Sequence, residues 1–206
     1  MISAREALDR LKDGNRRFAA DVESSGGATG SERRSDLVAG QEPFAVVLGC
    51  SDSRAPVEIV FDQGLGDLFV IRIAGNIVGP SQIGSVEFAA TQFGSRLVVV
   101  LGHSHCGAIT ATLEQLQRPT GDQSPGLRCI THRIAPAIEP LLRTHNHYQT
   151  ADLMDNAIRA NVHASVTQLR NGSETLMRLV DNEGLRIVGA EYSLETGLVD
   201  FFDEAS

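Results

Sequence analysis

The sequence predicts an α/β fold, a mainly parallel central sheet with flanking helices and an N-terminal helical arm. Three observations point there. Apolar runs of strand length at 44–49, 67–73 and 97–102 are each followed by a turn and then by helical spacing, the alternation that right-handed crossovers between parallel strands produce. Two of those runs end in glycine, at Gly49 and Gly102, and deliver Cys50, His103 and Cys106 from what would be strand ends, where open α/β sheets place their ligands. The 206 residues, 42% hydrophobic and 21% charged, are enough for one sizeable core and read as a single domain.

Within that domain, residues 1–35 read as the arm and a loop, and 36–206 as the α/β core. Over 3–20, Ala4, Ala7, Leu8, Leu11 and Phe18 recur at helical spacing, and Ser3 with Glu6 fits a capping box. The stretch 21–35, rich in Ser, Gly, Ala and Glu, reads as a loop. A helix set off in this way can pack on another subunit or on its own domain, and the pattern leaves both open. After the strand at 44–49, Pro56 opens a short helix. The strand at 67–73 is apolar enough to be covered on both faces, and Ala74-Gly75-Asn76 is its exit turn. A helix over 81–93 carries Ile83, Val86, Phe88, Ala89, Ala90 and Phe93 on one stripe, with Gly94 as its stop. A helix from Gly107 to about Gln117 follows the third strand. Beyond it lie a polar break at 120–126, a helical stretch interrupted by Pro136 and Pro140, and a polar segment end at His145-Asn146-His147. Helices at 151–170 and 173–182 precede two late strands, 185–192 and 198–202, around the turn Glu195-Thr196-Gly197.

The formal net charge of -8, with basic residues scattered, excludes the clustered Lys and Arg that a nucleic-acid backbone requires. No run approaches the roughly 18 apolar residues of a membrane span. The start, Met1-Ile2-Ser3-Ala4-Arg5-Glu6, lacks a basic segment leading into an apolar one, so a cytoplasmic protein is expected. Three cysteines, 56 and 23 residues apart, are not a disulfide framework. In a reducing compartment their thiolates are free to bind metal.

Zinc takes Cys sulfur and His nitrogen tetrahedrally, and a catalytic zinc has three protein ligands with the fourth position open. Cys50, His103 and Cys106 make such a set. The His-x-x-Cys spacing lets one turn present both side chains to an ion, while Cys50 arrives from the neighbouring strand end. Soft thiolates favour zinc over magnesium or calcium, and cobalt or iron would bind the same groups. Taken singly, a Cys at a strand end is a small buried hydrophobe and a His-x-x-Cys is a weak pattern. A closed structural site would need a fourth protein ligand, for which Cys129, His105 and His132 are in principle present.

Asp52 and Arg54 tip the reading toward catalysis. Two thiolates cancel the charge of the ion, so a bound water is less acidified than at a three-histidine site, and something must help produce and orient hydroxide. A carboxylate two residues from a ligand can accept a hydrogen bond from that water or swing in as fourth ligand. The Arg54 guanidinium, through two parallel hydrogen bonds, decides its direction. As a plain surface pair the two would contribute under about 1 kcal/mol.

Cys50-Ser51-Asp52-Ser53-Arg54 and His103-Ser104-His105-Cys106-Gly107 resemble the two signature motifs of the β-class carbonic anhydrases, in the right order and about the right distance apart. The similarity runs from Gln41 to Tyr192 and takes in the stretches 62–67, 69–72, 74–76 and 84–87. The resemblance implies one zinc ion per chain on Cys50, His103 and Cys106, with water or hydroxide in fourth place. It implies that Asp52 accepts from that water while Arg54 holds Asp52 off the metal, and that hydroxide attacks carbon dioxide to give bicarbonate. Gln41, nine residues before Cys50, matches a glutamine that in plant-like members donates to the substrate oxygen. Phe69 matches an aromatic of the apolar carbon dioxide pocket, which is lined partly by the partner subunit. A homodimer or homotetramer is therefore implied. Some bacterial members carry a tryptophan three residues before the first zinc-binding cysteine, part of a regulatory bicarbonate site that favours a closed, Asp-ligated zinc. Here that position is Val47 and the chain has no Trp. Arg72 and Tyr192 match other residues of that site, but the pocket is incomplete, so the open, plant-like type is expected.

Two other readings follow from the same residues. One keeps fold and metal but hydrolyses carbon disulfide or carbonyl sulfide. The other is a non-catalytic zinc or thiol protein using Cys50 and Cys106, which would not need Asp52 or Arg54.

Overall fold

A computed structural model of the chain describes residues 2–22, 30–119, 123–144 and 150–202. Its centre is a five-stranded sheet built from β1 (Ala45–Gly49), β2 (Leu68–Arg72), β3 (Leu97–His103), β4 (Arg186–Tyr192) and β5 (Val199–Phe202), in the order β2-β1-β3-β4-β5. The first four are parallel and β5 runs antiparallel to β4.

The unbroken apolar runs of β1 and β3 have a simple cause: both faces of these central strands are covered. Ala45 and Val47 of β1, with Leu97, Val99 and Leu101 of β3, face a layer made by α1 (Ala4–Ala19) and α3 (Val57–Val60). The intervening Val46, Leu48, Val98 and Val100 face α4 (Pro80–Gln92), α7 (Thr150–Asn171) and α8 (Glu174–Asn182). Each large side chain so buried stabilises the fold by about 1.5–3 kcal/mol. A third apolar cluster, with Ile109 and Leu113 of α5 (Gly107–Gln117) and Ile134 and Ile138 of α6 (Pro125–Thr144), closes around Cys50 and Cys106.

Of the two placements open to the N-terminal helix, the structure shows it on its own domain. The capping box forms, with Glu6 Oε2 accepting from the Ser3 N–H at 2.8 Å and Ser3 Oγ from the Glu6 N–H at 3.2 Å. The stripe Ala4, Ala7, Leu8 and Leu11 is buried against the sheet layer. Arg17 pairs with Asp62 at 2.5 Å and Arg10 with Asp67 at 3.1 Å. Asn15, buried, donates to the carbonyls of Val60 (3.1 Å) and Gly197 (2.8 Å) and accepts from the Val199 N–H (2.8 Å). At Gly14 the helix meets the chain after α3 so closely that a Cβ would lie 1.9 Å from the Phe61 carbonyl oxygen.

Three expectations are corrected and a fourth is qualified. Part of the expected loop at 21–35 is a helix, α2 (Ser31–Asp36), with no buried residue, so its short polar sequence carried no apolar stripe to betray it; residues 23–29 lie outside the described part. Strand β2 has apolar cover on both faces, Leu68 and Val70 on one and Phe69 and Ile71 on the other, but the cover is only partial. The strand is the sheet edge, and Phe69, Val70 and Ile71 stay half-buried. The Phe88 ring of the α4 stripe points outward, 51% exposed. Helix α6 runs unbroken through Pro136 and Pro140. Both prolines are exposed and four residues apart, so the carbonyls of His132 and Pro136, deprived of a helical N–H, lie on the solvent side, where the loss is cheapest. The break at 120–126 is described only from 123 onward, and His145-Asn146-His147 lies outside the described residues.

The seating of α1 makes two glycines of opposite consequence. Gly14→Ala drives a methyl into the Phe61 carbonyl and is expected to cost about 1–3 kcal/mol. Gly84→Ala, in exposed mid-helix with nothing within 4 Å of the added carbon, is expected to add about 0.5–1 kcal/mol. Urea denaturation midpoints check both, and an unchanged midpoint for Gly14→Ala would show that α1 is not seated as described.

Candidate metal centre

Adjacent parallel strands that end at the same level deliver their next residues to one place. Gly49 of β1 is in register with Leu101 of β3, so Cys50 leaves the sheet beside His103, the last residue of β3. Cys106 is the N-cap of α5, reached through a turn in which His105 takes a left-handed backbone, φ 54°. The ligand atoms of Cys50, His103 and Cys106 lie within 4.8 Å of one another and all three residues are buried. Among the described residues no other group of three or more His, Cys, Asp or Glu side chains is so placed.

The donor set fits a metal ion on its own chemistry. His103 Nδ1 lies 2.9 Å from the Ser104 carbonyl oxygen, which can only accept, so Nδ1 carries the proton and Nε2 keeps a bare lone pair. That Nε2 is buried and has no hydrogen-bond partner among the described residues. A buried unpartnered acceptor beside two sulfurs is costly unless a cation takes it up. The Cys106 thiol beside Cys50 and, against burial, the Gly75 N–H 3.3 Å from Cys50 Sγ hold the Cys50 pKa below a thiol's ordinary value. The same Cys50 contact, and burial, push Cys106 well above a thiol's ordinary value. The pair shares one proton, with Cys50 the thiolate.

Asp52 and Arg54 form the expected fork. Arg54 Nε donates to Oδ1 at 3.0 Å and Nη2 to Oδ2 at 2.9 Å, and the Arg54 backbone N–H adds a bond to Oδ1 at 2.9 Å. The guanidinium holds the Asp52 carboxyl well below the usual carboxylate range, against a smaller penalty from burial. Asp52 Oδ2 is 3.8 Å from His103 Nε2, so the carboxylate stands beside the triad. A second guanidinium, Arg72 at the end of β2, donates to the Cys50 carbonyl (3.0 Å) and the Asp52 carbonyl (2.6 Å). The loop 50–54 is thus clamped from both sides.

The closed four-ligand site is not assembled. The His105 ring bonds Glu195 instead, and Cys129 and His132 are exposed on α6. Glu195 also accepts from Ser104 Oγ at 2.9 Å and from Ser193 Oγ at 3.1 Å, tying the ligand turn to the β4–β5 turn; with these bonds its pKa falls to about 2. The sequence marked Glu195 only as a turn residue, because nothing local says what lies opposite it. Gln41 and Phe69 are not brought to the triad. Gln41 is exposed in a surface groove with Leu37, Leu65 and Gly66. Phe69 sits in an aromatic cluster, 6.3 Å from Phe88 and 6.0 Å from Phe93 between ring centroids.

Against known proteins, a family profile described as carbonic anhydrase matches residues 45–199. The chain is 38% identical over 193 residues to carbonic anhydrase 2 of Mycobacterium tuberculosis, covering 93% of this chain and 89% of the relative. It is 40% identical over 195 residues to a carbonic anhydrase of Mycolicibacterium smegmatis, covering 94% and 91%. Among solved structures it is similar to the β-carbonic anhydrase CcaA, with TM-score 0.76 and 26% identity over 98% of this chain and 93% of that one. The fold also matches a tetrameric β-carbonic anhydrase of Sordaria macrospora, with TM-score 0.72 and 21% identity over 97% and 98%.

Because Cys106 is held protonated by Cys50 and by burial, it must lose a proton to ligate. Uptake of zinc by the metal-free chain is therefore expected to release protons and to tighten as pH rises from about 6 to 8. Calorimetry in buffers of different ionisation enthalpy counts them, and uptake without proton release would remove Cys106 from the ligand set.

Proposed function

Because this chain belongs to the β-class carbonic anhydrase family, we propose that it catalyses the reversible hydration of carbon dioxide to bicarbonate and a proton, at one zinc ion held by Cys50, His103 and Cys106. The observation that carries this reading is the buried Cys-His-Cys triad with the Asp52–Arg54 fork beside it. The relatives described above carry the same name, and neither a sulfur-containing substrate nor a non-catalytic thiol role draws support from the site.

A zinc ion so held supplies a Lewis acid that lowers the pKa of a coordinated water, so that hydroxide chemistry becomes accessible at modest pH. The chain does the rest. Asp52 Oδ2 accepts the hydrogen bond of the reacting water and so turns an oxygen lone pair toward the substrate. Arg54 keeps both carboxylate oxygens engaged, which holds Asp52 from swinging onto the ion as fourth ligand. Its Nη2 also reaches the His105 carbonyl at 3.3 Å, so the fork is braced against the ligand turn itself. Ile77, Ile109, Ile134 and Ile138, buried around the two cysteines, keep bulk water off the thiolates and strengthen every charge interaction at the centre. The proton released by water passes to buffer.

In this reading Gln41 and Phe69 bind substrate in the site of a second copy, Gln41 donating to the substrate oxygen and Phe69 lining the apolar pocket. Their exposed or half-exposed placement away from their own triad supports a homodimer at least, and a homotetramer follows from pairing dimers. The open, plant-like type is favoured by the surroundings of the incomplete regulatory pocket. Val47 is fully buried in the sheet, Arg72 is turned onto the carbonyls of residues 50 and 52 through Nε and Nη2, and Tyr192 is covered by Phe18 of α1, 6.3 Å between ring centroids. No helix among the described residues is long and apolar enough to cross a membrane, and we place the protein in the cytoplasm.

Stopped-flow carbon dioxide hydration on protein of known zinc content tests the function, with rapid hydration lost in Cys50→Ser as the expected result. Stoichiometric zinc without hydration at any pH would sink it. Asp52→Asn and Arg54→Ala are expected to keep their zinc and to lose on the order of 10²–10⁴ in kcat/KM. The depressed pKa of Asp52 means that its carboxylate is present at every pH above the ordinary carboxylate range. Between pH 6.5 and 9 (about the working range of such assays) the acid limb should therefore carry a single proton, and a steeper limb would mean that Asp52 leaves Arg54.

A further inference from the structure

One face of α7 is polar where it should be apolar. Ala157, Ile158, Val162, Val166 and Leu169 are buried, as an inward helix face requires. Between them Asn161 and Ser165, one helical turn apart, are buried as well, at 2% and 4% exposure. A polar side chain taken from water costs free energy unless it is hydrogen-bonded, so their partners say what they are for. Asn161 Nδ2 donates to the Gly75 carbonyl at 2.8 Å, and Ser165 Oγ donates to the Asn76 carbonyl at 3.0 Å. Both therefore grip one short element, the 3-10 turn Ala74–Asn76 that follows β2.

That turn is held in an unfavourable shape. Gly75 has φ 70° and Asn76 has φ 42°, two successive left-handed residues, of which only the glycine is there without steric cost. A Cβ at Gly75 would lie 2.8 Å from Ile134 Cδ1 and 3.0 Å from Ala108 Cβ, so α5 and α6 wall the turn in while α7 pins it. The shape has one product at the metal centre: the Gly75 N–H points at Cys50 Sγ, 3.3 Å away.

We propose that Asn161 and Ser165 are positioning residues for the Cys50 thiolate: they fix the 74–76 turn so that the Gly75 N–H donates to the sulfur that ligates the metal. An N–H bond to a thiolate draws electron density from it and fixes its direction, which tunes both its hold on an ion and its donation to that ion. The inference rests on Cys50 being a metal ligand, and its test separates the two. Asn161→Leu, Ser165→Ala and the conservative Ser165→Thr are compared with the wild-type chain. Cobalt(II) is the probe, through its sulfur-to-metal charge-transfer band, and zinc affinity is measured by competition with a chelator of known strength.

Loss of the N–H bond leaves the sulfur richer in electrons, so the band of Asn161→Leu is expected at longer wavelength, while the freed turn no longer fixes Cys50 in place and zinc affinity is expected lower on the order of 10–100-fold. The pH midpoint of kcat/KM should move up. Ser165→Ala should follow in the same direction by less, and Ser165→Thr should restore the wild-type band. Should Asn161→Leu not fold, the Ser165 pair decides the matter alone. Variants that are merely less stable, with band, affinity and midpoint unchanged, would overturn the proposal while leaving the zinc reading intact. A wild-type chain that shows no thiolate band with cobalt would overturn both.

Discussion

The parallel pairing of β1 with β3 is the constraint on which the rest depends. Parallel neighbours point their carboxyl ends the same way, and the register of Gly49 with Leu101 sets those ends at one height. Slipping that register by one residue would turn Val46, Val47, Leu48 and the facing valines of β3 to the wrong layers, exchanging two fully buried sets. The cost would be many times the worth of any hydrogen bond at the metal centre. The core therefore holds the site to tolerance, and the site adds little to the core.

Charge is then arranged against burial. Two buried sulfurs and a partly exposed carboxylate converge on one place, where like charges repel more strongly than in solvent. The chain answers with two guanidiniums, Arg54 on the carboxylate and Arg72 on the carbonyls of the loop that carries it, and with a shared proton between the cysteines. The bare Nε2 of His103 completes a pocket whose electrostatics are unfinished without a cation. Function here is the placing of negative charge where only a metal can settle it.

What could be read in the sequence was what is local. Strand runs, caps and stops depend on neighbours within a turn or two, and β1, β3, α1, α5 and α8 fall close to their expected bounds. The triad and the fork were legible because their chemistry is spelled in two short segments. The half-burial of β2 was not, since an edge strand and a central one share the same apolar composition until the order of the sheet is known. Asn161, Ser165 and Glu195 were invisible for a related reason. Each acts on a residue some ninety positions away, and a lone polar residue in a helix or turn does not announce its partner. The prolines of α6 misled because a rule about helix interiors was applied without knowing which face would meet solvent.

Asn15 bonds at once to Val60 and to Gly197 and Val199, so one side chain near the start of the chain holds the approach to its final strand. Fraying normally begins at the ends, where few contacts must break. Here the first helix and the last strand are each other's anchor, and neither can peel away without exposing the buried amide of the other's partner. A noncovalent latch thus joins α1 to β5, and these two elements are expected to open as one cooperative unit.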